Sequence, residues 1–285
     1  MKILAGPSSQ FLASRVAKET KCDLALVEFK KFPDGELYLR IADELDGEAL
    51  IIQSTVTNDD VISLLQLIDA ASDCYMRIVI PYFGYARQDK QFKPGEPISA
   101  RAIARSIDAD EVHLINVHDT STLDHFKLRS KRKAINLSAA RIMGNHLRGM
   151  RFESPLLVSP DEGAVQLVQD TADAMKAEFD VLVKTRVSSE QVIIQPKHVD
   201  VDRKEVVIVD DMISTGGTMA GAIKLLKSQG AREVHVACIH PVFSQNARLL
   251  LYHSGVESII ATDTIERAES VMSVAPLIKE GLQTR

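Results

Sequence analysis

The residues with the clearest chemical potential follow an apolar run at 206–209. Two acidic residues, Asp210 and Asp211, come first, and a turn rich in hydroxyl groups and glycine comes next. This turn contains Ser214, Thr215, Gly216, Gly217 and Thr218. Its glycines allow successive backbone N–H groups to point at one anion, and a following helix adds the positive end of its dipole. The pattern predicts a cradle for one phosphate, with two carboxylates placed to bind the hydroxyls of an attached ribose.

The turn differs from the commoner phosphate-binding loops. No Gly-Lys-Ser or Gly-Lys-Thr follows, so it is not a Walker loop, and the dinucleotide pattern Gly-x-Gly-x-x-Gly is absent from it. Two other apolar runs also end in residues that could bind a metal, His118 and Asp161. Ligands of open parallel sheets bind at the carboxyl ends of strands. Three such strand ends together predict a ligand site rather than unrelated surface turns.

The elements that must position these residues alternate along the chain. Short runs rich in β-branched residues predict strands at 49–53, 77–81, 111–117, 155–159, 205–209, 233–239 and 257–261. Apolar residues at three to four residue spacing predict helices at 8–20, 59–73, 98–108, 138–148, 163–176, 217–229, 245–253 and 271–282. Continuous apolar strands separated by helices indicate an α/β protein with doubly wound parallel sheets.

The chain of 285 residues is long enough for two domains of this kind. Its least apolar junction, 148–155, comes just before a new strand, so we place the domain boundary near residue 146. The predicted domains are 1–146 and 147–285, and each holds a comparable series of strands and helices.

Composition and charge restrict the partners and the location. Lys and Arg total 34 against 39 Asp and Glu, and the net charge of −5 argues against a general nucleic-acid binder. The sequence has only three cysteines, far apart, which favours a reducing cytoplasm. No run of 18 apolar residues exists, and the N-terminal apolar run is too short for a signal peptide. We therefore expect a cytoplasmic protein that binds neither nucleic acid nor membrane.

The stretch 206–218 resembles the phosphoribosyl-diphosphate loop of the type I phosphoribosyltransferases. Further segments are similar to the ribose-phosphate pyrophosphokinases, in the same order over nearly the whole chain. These segments are 32–36, 53–55, 80–90, 96–100, 159–161, 240–242 and 273–277. The resemblance implies two domains of phosphoribosyltransferase type, with ATP bound on the N-terminal side and ribose 5-phosphate on the C-terminal side. The implied reaction transfers the diphosphoryl group of ATP to the 1-hydroxyl of ribose 5-phosphate and releases AMP.

The same resemblance implies a role for each matching residue. The implied ATP-binding residues are Phe32, Asp34, Gly35, Glu36, Arg87 and Gln88. The implied ribose 5-phosphate-binding residues are Arg186, Asp210, Asp211, Ser214, Thr215, Gly216, Gly217 and Thr218. His118 and Asp161 match the residues that serve Mg²⁺, the expected cofactor. Because the residues matching 32–36 reach the adenine pocket of a neighbouring subunit, the resemblance also implies a homodimer or a larger homo-oligomer.

Lys184 and Arg186 match the catalytic lysine and arginine of the family. They lie two residues apart, so both would face the same side of an extended segment and could clamp a diphosphoryl group. Without the resemblance, a charged surface hairpin is the better interpretation of these two residues. Family members usually carry more basic residues directly after the lysine, whereas Thr185 and Val187 occupy those places here.

Two departures from the family pattern lie near the implied substrate. Many members have an aspartate where Ser214 stands, and many have His-Gly-Gly where this chain has Glu162, Gly163 and Ala164. Both place the chain in a divergent branch of the family, and neither removes the predicted phosphate cradle.

Two other functions remain as alternatives. A phosphoribosyltransferase that consumes phosphoribosyl diphosphate would need a hood that binds a nucleobase and would not need Arg87 and Gln88. A non-catalytic relative would be expected to lack Lys184, Arg186 or the Asp210-Asp211 pair, all of which are present.

Overall fold

The computed structural model describes residues 1–186, 192–196 and 200–283, and for 183–186 and 192–196 it describes the backbone alone. The strands are β1 (Lys2–Ala5), β2 (Asp23–Leu24), β3 (Val27–Lys31), β4 (Leu37–Ile41), β5 (Glu48–Ile52), β6 (Tyr75–Ile80), β7 (Glu111–Ile115), β8 (Ile135–Leu137), β9 (Leu156–Ser159), β10 (Glu178–Arg186), β11 (Val192–Pro196), β12 (Glu205–Met212), β13 (Glu233–His240), β14 (Ile259–Thr262) and β15 (Ser270–Met272). The helices are α1 (Gln10–Thr20), α2 (Asn58–Ala70), α3 (Ser99–Ser106), α4 (Ala140–Gly149), α5 (Val165–Met175), α6 (Gly217–Ser228), α7 (Ala247–His253) and α8 (Ala275–Gln283).

The predicted α/β architecture is confirmed. Each predicted strand overlaps an observed strand, and each predicted helix overlaps an observed helix. One predicted boundary is wrong, because residues 270–272 pair with β14 as strand β15 and the last helix begins only at Ala275. No helix within the described ranges has both the length and the hydropathy that a membrane crossing requires.

The chain divides into two compact units by contacts. The first unit contains residues 1–138, 264–266 and 273–285, and the second contains 139–263 and 267–272. These units differ from the predicted domains because α4 belongs wholly to the second unit and α8 returns to the first. The assignment of ATP to the first domain and of ribose 5-phosphate to the second stays a prediction.

The first unit is built on a six-stranded sheet in the order β2-β1-β5-β6-β7-β8. All of its strand pairs are parallel, and β3 and β4 form a separate antiparallel hairpin. The central strands are apolar on both faces, so helices must cover both sides of the sheet. Leu64 and Leu67 of α2 pack into the same core as Ile51 and Ile78 of the sheet.

The second unit is built on a seven-stranded sheet in the order β11-β10-β9-β12-β13-β14-β15. Its pairs are parallel except for β10 with β11, which is antiparallel. Residues 156–159 and 205–209 are buried throughout, as expected for strands covered on both faces. Ile223 and Leu226 of α6 are fully buried against this sheet.

Candidate active site

The carboxyl ends of β9 and β12 lie side by side in the second unit. Strand β12 pairs in parallel with β9, with Ile208 opposite Val158, and on its other side it pairs with β13. The chain builds the sheet outward in one direction from β9 and in the other direction from β12. Such a reversal of strand order leaves a crevice where ligands of open α/β sheets bind. The structure thus brings Asp161 and the Asp210-Asp211 pair to one sheet edge.

Negative charge is concentrated at this edge. Asp210 has a pKa raised to about 8, chiefly because it is withdrawn from solvent and further because of the negative charges of Asp211 and Asp161. The backbone N–H of Asp211 donates to Asp210 Oδ1 at 2.9 Å and lowers the pKa in part. A carboxylate that is this difficult to ionise is stabilised by a cation or by hydroxyl donors on a ligand.

The turn after β12 leads directly into the N-terminus of α6. Gly216 is the N-cap residue of this helix and adopts a left-handed conformation, with φ of +79°, that favours glycine. The backbone conformation is the reason for glycine here, because a Cβ at Gly216 would make only an ordinary contact, 3.4 Å from the carbonyl oxygen of Ala247. No side chain among the described residues caps the helix, and Thr215, Gly217 and Thr218 are exposed. An uncapped, exposed helix N-terminus attracts an anion, as the sequence predicts for this turn.

Ser214 lies on the inner side of the same turn and is partly buried. Its Oγ lies 3.1 Å from the Oγ of Ser244, a residue in the segment that joins β13 to α7. Sequence reasoning missed Ser244, because 30 residues separate the two serines and no local pattern marks the second one. The one indication in the sequence was the segment 240–242 just before it, which is similar to the ribose-phosphate pyrophosphokinases.

The Arg87-Gln88 segment follows β6 in the first unit. The Gln88 backbone N–H donates to the carbonyl of Tyr85 at 3.1 Å, and the Gln88 carbonyl accepts from the N–H of Ala100 at 3.3 Å. The hydroxyl of Ser99 donates to Gln88 Oε1. Gln88 is therefore held against the start of α3, whereas Arg87 is exposed and can reach a ligand from solvent.

His118 follows β7 and is exposed. The next residue, Asp119, accepts the backbone N–H of Ser121 at 2.8 Å. Hydrogen bonds from Ser121 lower the pKa of Asp119, with smaller contributions from Asp89 and His118. The structure thereby brings the Arg87-Gln88 segment, through Asp89, to the strand end that carries His118. Sequence reasoning missed Asp89 and Asp119 as site residues, although Asp119 directly follows His118.

Phe32, Asp34, Gly35 and Glu36 form the tip of the β3–β4 hairpin. The N–H of Gly35 donates to the carbonyl of Phe32 at 2.9 Å, and the N–H of Phe32 donates to the carbonyl of Glu36 at 2.8 Å. Gly35 has φ of +97°, as the Asp-Gly turn signal predicts. The Phe32 ring is 49% exposed and packs edge-on to Tyr38 with centroids 6.0 Å apart. The hairpin presents an aromatic ring and two carboxylates to solvent, and their role toward ATP stays a prediction.

Lys184 and Arg186 belong to β10, whose backbone pairs with β11 by placing Lys184 opposite Ile194. Their side chains lie outside the described part of the structure, as do residues 187–191. The extended backbone expected for them is confirmed, and their catalytic role stays a prediction.

Asp161 accepts the N–H of Gly163 at 2.9 Å and is otherwise exposed. Within the described ranges, no three or more His, Cys, Asp or Glu side chains form a preformed metal site. A metal ion bound by His118 or Asp161 would therefore need most of its ligands from substrates and water, the usual situation for Mg²⁺.

Two family models match the chain, one in each half. Residues 1–110 match the family model described as the N-terminal domain of ribose phosphate pyrophosphokinase, and residues 130–272 match the phosphoribosyl transferase domain. The ribose-phosphate pyrophosphokinase of Methanosarcina acetivorans is 55% identical, and the alignment covers 99% of each chain. That of Methanosarcina mazei is 54% identical over 99% of this chain and 95% of the relative.

A solved structure has the same fold over both units. The crystal structure of phosphoribosylpyrophosphate synthetase from Mycobacterium smegmatis matches with a TM-score of 0.83 and 28% identity. The match covers 99% of this chain and 97% of that one.

Proposed function

The chain belongs to the ribose-phosphate pyrophosphokinase family, and we propose how its residues carry out the reaction of that family. The enzyme transfers the diphosphoryl group of ATP to ribose 5-phosphate. The 1-hydroxyl oxygen attacks the β-phosphorus and loses its proton, the bond from that phosphorus to the α–β bridging oxygen breaks, and AMP leaves. The products are 5-phosphoribosyl 1-diphosphate and AMP.

The observation that carries this assignment is the uncapped N-terminus of α6, next to the Asp210-Asp211 pair. The 5-phosphate of the substrate binds at the Ser214–Thr218 turn, where backbone N–H groups and hydroxyls donate to its oxygens. Asp210 and Asp211 accept the ribose hydroxyls. Burial removes water from Asp210 and raises the pKa of its carboxyl to about 8. Hydroxyl groups of the sugar replace that water as hydrogen-bond donors and so stabilise the charged carboxylate.

ATP binds through the first unit. Arg87 is exposed and can grip phosphate oxygens with its planar guanidinium, while Gln88 is fixed by Ser99 and Ala100 close to the start of α3. The hairpin residues Phe32, Asp34, Gly35 and Glu36 complete an adenine pocket, with the exposed Phe32 ring available for stacking.

Lys184 and Arg186 stabilise the negative charge that develops on the transferring diphosphoryl group, and Arg186 also contacts ribose 5-phosphate. Phosphoryl transfer needs alignment and positive charge more than a covalent nucleophile. Both residues lie on β10, which pairs directly with β9, the strand that leads to Asp161.

Mg²⁺ is the proposed cofactor, and the proposed protein contacts are His118, which follows β7, and Asp161, which follows β9. The carboxylates of Asp161, Asp210 and Asp211 raise the local negative charge, which fits a hard, oxygen-preferring cation. When bound, Mg²⁺ supplies neutralising charge to phosphate oxygens. His118 acts through a bound water, because an imidazole nitrogen is a poor direct ligand for this ion.

We also propose a homodimer or larger homo-oligomer in the cytoplasm. The hairpin tip, whose Phe32 ring is half exposed, serves the adenine pocket of a neighbouring copy. Cys22, Cys74 and Cys238 are all free thiols, which suits a reducing compartment. Mixing an inactive Phe32→Ala, Asp34→Ala subunit with an inactive Lys184→Ala subunit tests the composite pocket. Recovered activity supports it, and no recovery in verified mixed dimers contradicts it.

The decisive experiment is incubation of the purified protein with ATP, Mg²⁺ and ribose 5-phosphate. AMP and phosphoribosyl diphosphate should form in equal amounts, and omission of ribose 5-phosphate should abolish both. Formation of ADP, or a requirement for a nucleobase, would refute the assignment.

The Lys184→Ala variant tests the catalytic role in the same assay. Turnover should fall by about 100-fold or more, as when other transition-state donors are removed, while the affinity for ribose 5-phosphate changes little. Lys224→Ala, an exposed lysine on α6, is the matched control and should keep normal turnover. Near-normal turnover of Lys184→Ala would remove Lys184 from the mechanism.

A further inference from the structure

The segment between β13 and α7 packs on the Ser214–Thr218 turn. Ser244 in this segment brings its hydroxyl group to the turn. We propose that Ser244 is a positioning residue for ribose 5-phosphate, acting through the hydroxyl of Ser214. This inference rests on the proposed function, because it takes the Ser214–Thr218 turn as the site of the 5-phosphate.

Backbone hydrogen bonds fix the two segments together. The N–H of Ile213 donates to the carbonyl of His240 at 3.1 Å, and the N–H of Phe243 donates to the carbonyl of Ile213 at 2.9 Å. The N–H of Ser244 then donates to the carbonyl of Ser214 at 3.1 Å. These bonds continue the pairing of β12 with β13 beyond the ends of both strands. They place Ser244 opposite Ser214, so that the two hydroxyl oxygens lie 3.1 Å apart.

The backbone on both sides of Ser244 is strained. Phe243 has φ of +45° and Gln245 has φ of +56°, a left-handed region that non-glycine residues enter at a cost. The Gln245 side chain is exposed, so its own contacts do not explain the conformation. The left-handed conformation of these two residues sets the path of the backbone that carries Ser244 to Ser214.

Surrounding contacts hold the strained turn in place. The Phe243 ring is buried, and the guanidinium carbon of Arg248 lies 4.6 Å from its centroid. Arg248 in turn donates to both carboxylate oxygens of Glu269, at 2.6 and 3.1 Å. This bidentate pair lowers the pKa of Glu269 and keeps its charge, so the guanidinium is fixed over the ring. The turn is therefore rigid without any help from a ligand.

A serine pair at this spacing orients the single proton of each hydroxyl. When Ser244 donates to Ser214 Oγ, the Ser214 proton is directed away from Ser244 and toward the 5-phosphate. The phosphate then receives a donor that is already oriented, strengthened by the hydrogen bond it receives from behind. Without Ser244, the Ser214 hydroxyl rotates freely and loses that orientation.

The test compares Ser244→Ala, Ser214→Ala and the double variant. Ribose 5-phosphate binding, measured by calorimetry without ATP, should weaken about 2- to 10-fold in each single variant. Because the two serines act in series, the double variant should bind no more weakly than Ser214→Ala alone. The KM for ATP should not change, and Ser244→Thr, which keeps the hydroxyl, should retain most of the affinity.

Ser228→Ala is the matched control, since its hydroxyl donates to the carbonyl of Leu225 at the far end of α6. It should leave the dissociation constant of ribose 5-phosphate unchanged. Fully additive losses in the double variant, or normal binding by Ser244→Ala, would overturn the proposal. Product formation by the wild-type enzyme tests the proposed function separately, so failure of one does not imply failure of the other.

A second pair of variants tests the strained backbone without touching either hydroxyl. Gln245→Gly keeps the left-handed conformation easily accessible, whereas the β-branched Gln245→Val opposes it. We expect the valine variant to bind ribose 5-phosphate several-fold more weakly than the glycine variant at equal ATP affinity. Equal affinity of the two variants for ribose 5-phosphate would show that the geometry of this turn does not position the substrate.

Discussion

Each unit has a turn from strand to helix at the point where its strand order reverses. The two turns differ in how the N-terminus of the following helix is capped. In the first unit the strand order reverses between β1 and β5, and in the second it reverses between β9 and β12. Strand β5 leads by a short turn into α2, and β12 leads by a short turn into α6. By topology, both turns are candidate ligand sites. Their chemistry differs, because one helix N-terminus is closed by side chains and the other is open.

The N-terminus of α2 is closed by its own carboxylate. Thr57 and Asp60 form a capping box, with the Thr57 N–H donating to Asp60 Oδ2 at 2.8 Å and the Asp60 N–H donating to Thr57 Oγ1 at 3.2 Å. Gln53 donates to Asp60 Oδ1 at 3.1 Å, and both side chains are buried. An internal anion thus fills the place that an external phosphate would take.

The N-terminus of α6 has glycine at the N-cap position and exposed residues after it. Strand order alone therefore does not make a phosphate site. A helix N-terminus at such a point binds either an anion from its own chain or one from solvent, and the residues at the cap decide which.

The largest effect is expected when a carboxylate is introduced at the uncapped N-terminus of α6. Thr218→Asp places a carboxylate at the exposed first turn of α6, where it repels the 5-phosphate. Like charges about 4 Å apart near a protein surface repel by roughly 4 kcal/mol, so the KM for ribose 5-phosphate should rise by about 100-fold or more. Thr218→Asn, of nearly the same shape but neutral, is the control and should have a much smaller effect. Equal kinetics of the two variants would show that no anion binds there.

The reverse change removes the carboxylate that caps the N-terminus of α2 in the first unit. Asp60→Asn removes one of the two oxygens that Gln53 and Thr57 use, and the unfolding free energy should fall by about 1–3 kcal/mol. The KM for ribose 5-phosphate should stay unchanged, since the proposed site of that substrate lies in the other unit. Asp59→Asn, on the exposed side of the same helix, breaks only the 2.8 Å pair with Lys31 and should cost less than about 1 kcal/mol. Urea unfolding of both variants gives the comparison.

The two sheets also differ in the surroundings of a buried histidine. His235 in β13 bonds to the Ser258 hydroxyl at 2.8 Å. Among the described residues, neither ring nitrogen of His113 in β7 has a partner within hydrogen-bond distance, and Glu111 Oε2 lies 3.7 Å from its Nε2. Burial lowers the pKa of His113 below its ordinary value of 6.5, although nearby Glu111 opposes the shift. As the pH falls through 6.5, the unfolded chain gains a proton that the folded chain does not bind. Stability should therefore decrease on acidification, by at most about 1.4 kcal/mol per pH unit from this group.

The measurement is the unfolding free energy between about pH 7.5 and about pH 5, the range in which the imidazole of the unfolded chain takes up its proton. His113→Leu removes the titrating group and should flatten the curve. An identical pH dependence in wild type and His113→Leu would assign the acid sensitivity to other residues.

The parts of the site that sequence reasoning could predict are local in the chain. The phosphate turn was predictable because two acids, two glycines and three hydroxyls lie within nine residues of each other after an apolar run. Ser244 and Asp89 were not, since only the packing of distant strand ends brings them to Ser214 and Asp119. The β3–β4 hairpin escaped prediction because both strands are short and only partly buried, and in β3 the residues Glu28, Lys30 and Lys31 interrupt the apolar run of a core strand.

The return of α8 to the first unit has a consequence for how the protein is made. Gly281 packs so tightly there that a Cβ would come within 2.7 Å of Leu137, and Ser54 donates to the carbonyl of Thr264 at 2.6 Å. The first unit thus stays incomplete until α8 has left the ribosome, after all of the second unit has been synthesised. The second unit, apart from 267–272, is one uninterrupted stretch that can fold earlier. Translation order and the order in which the two units mature are therefore expected to be reversed.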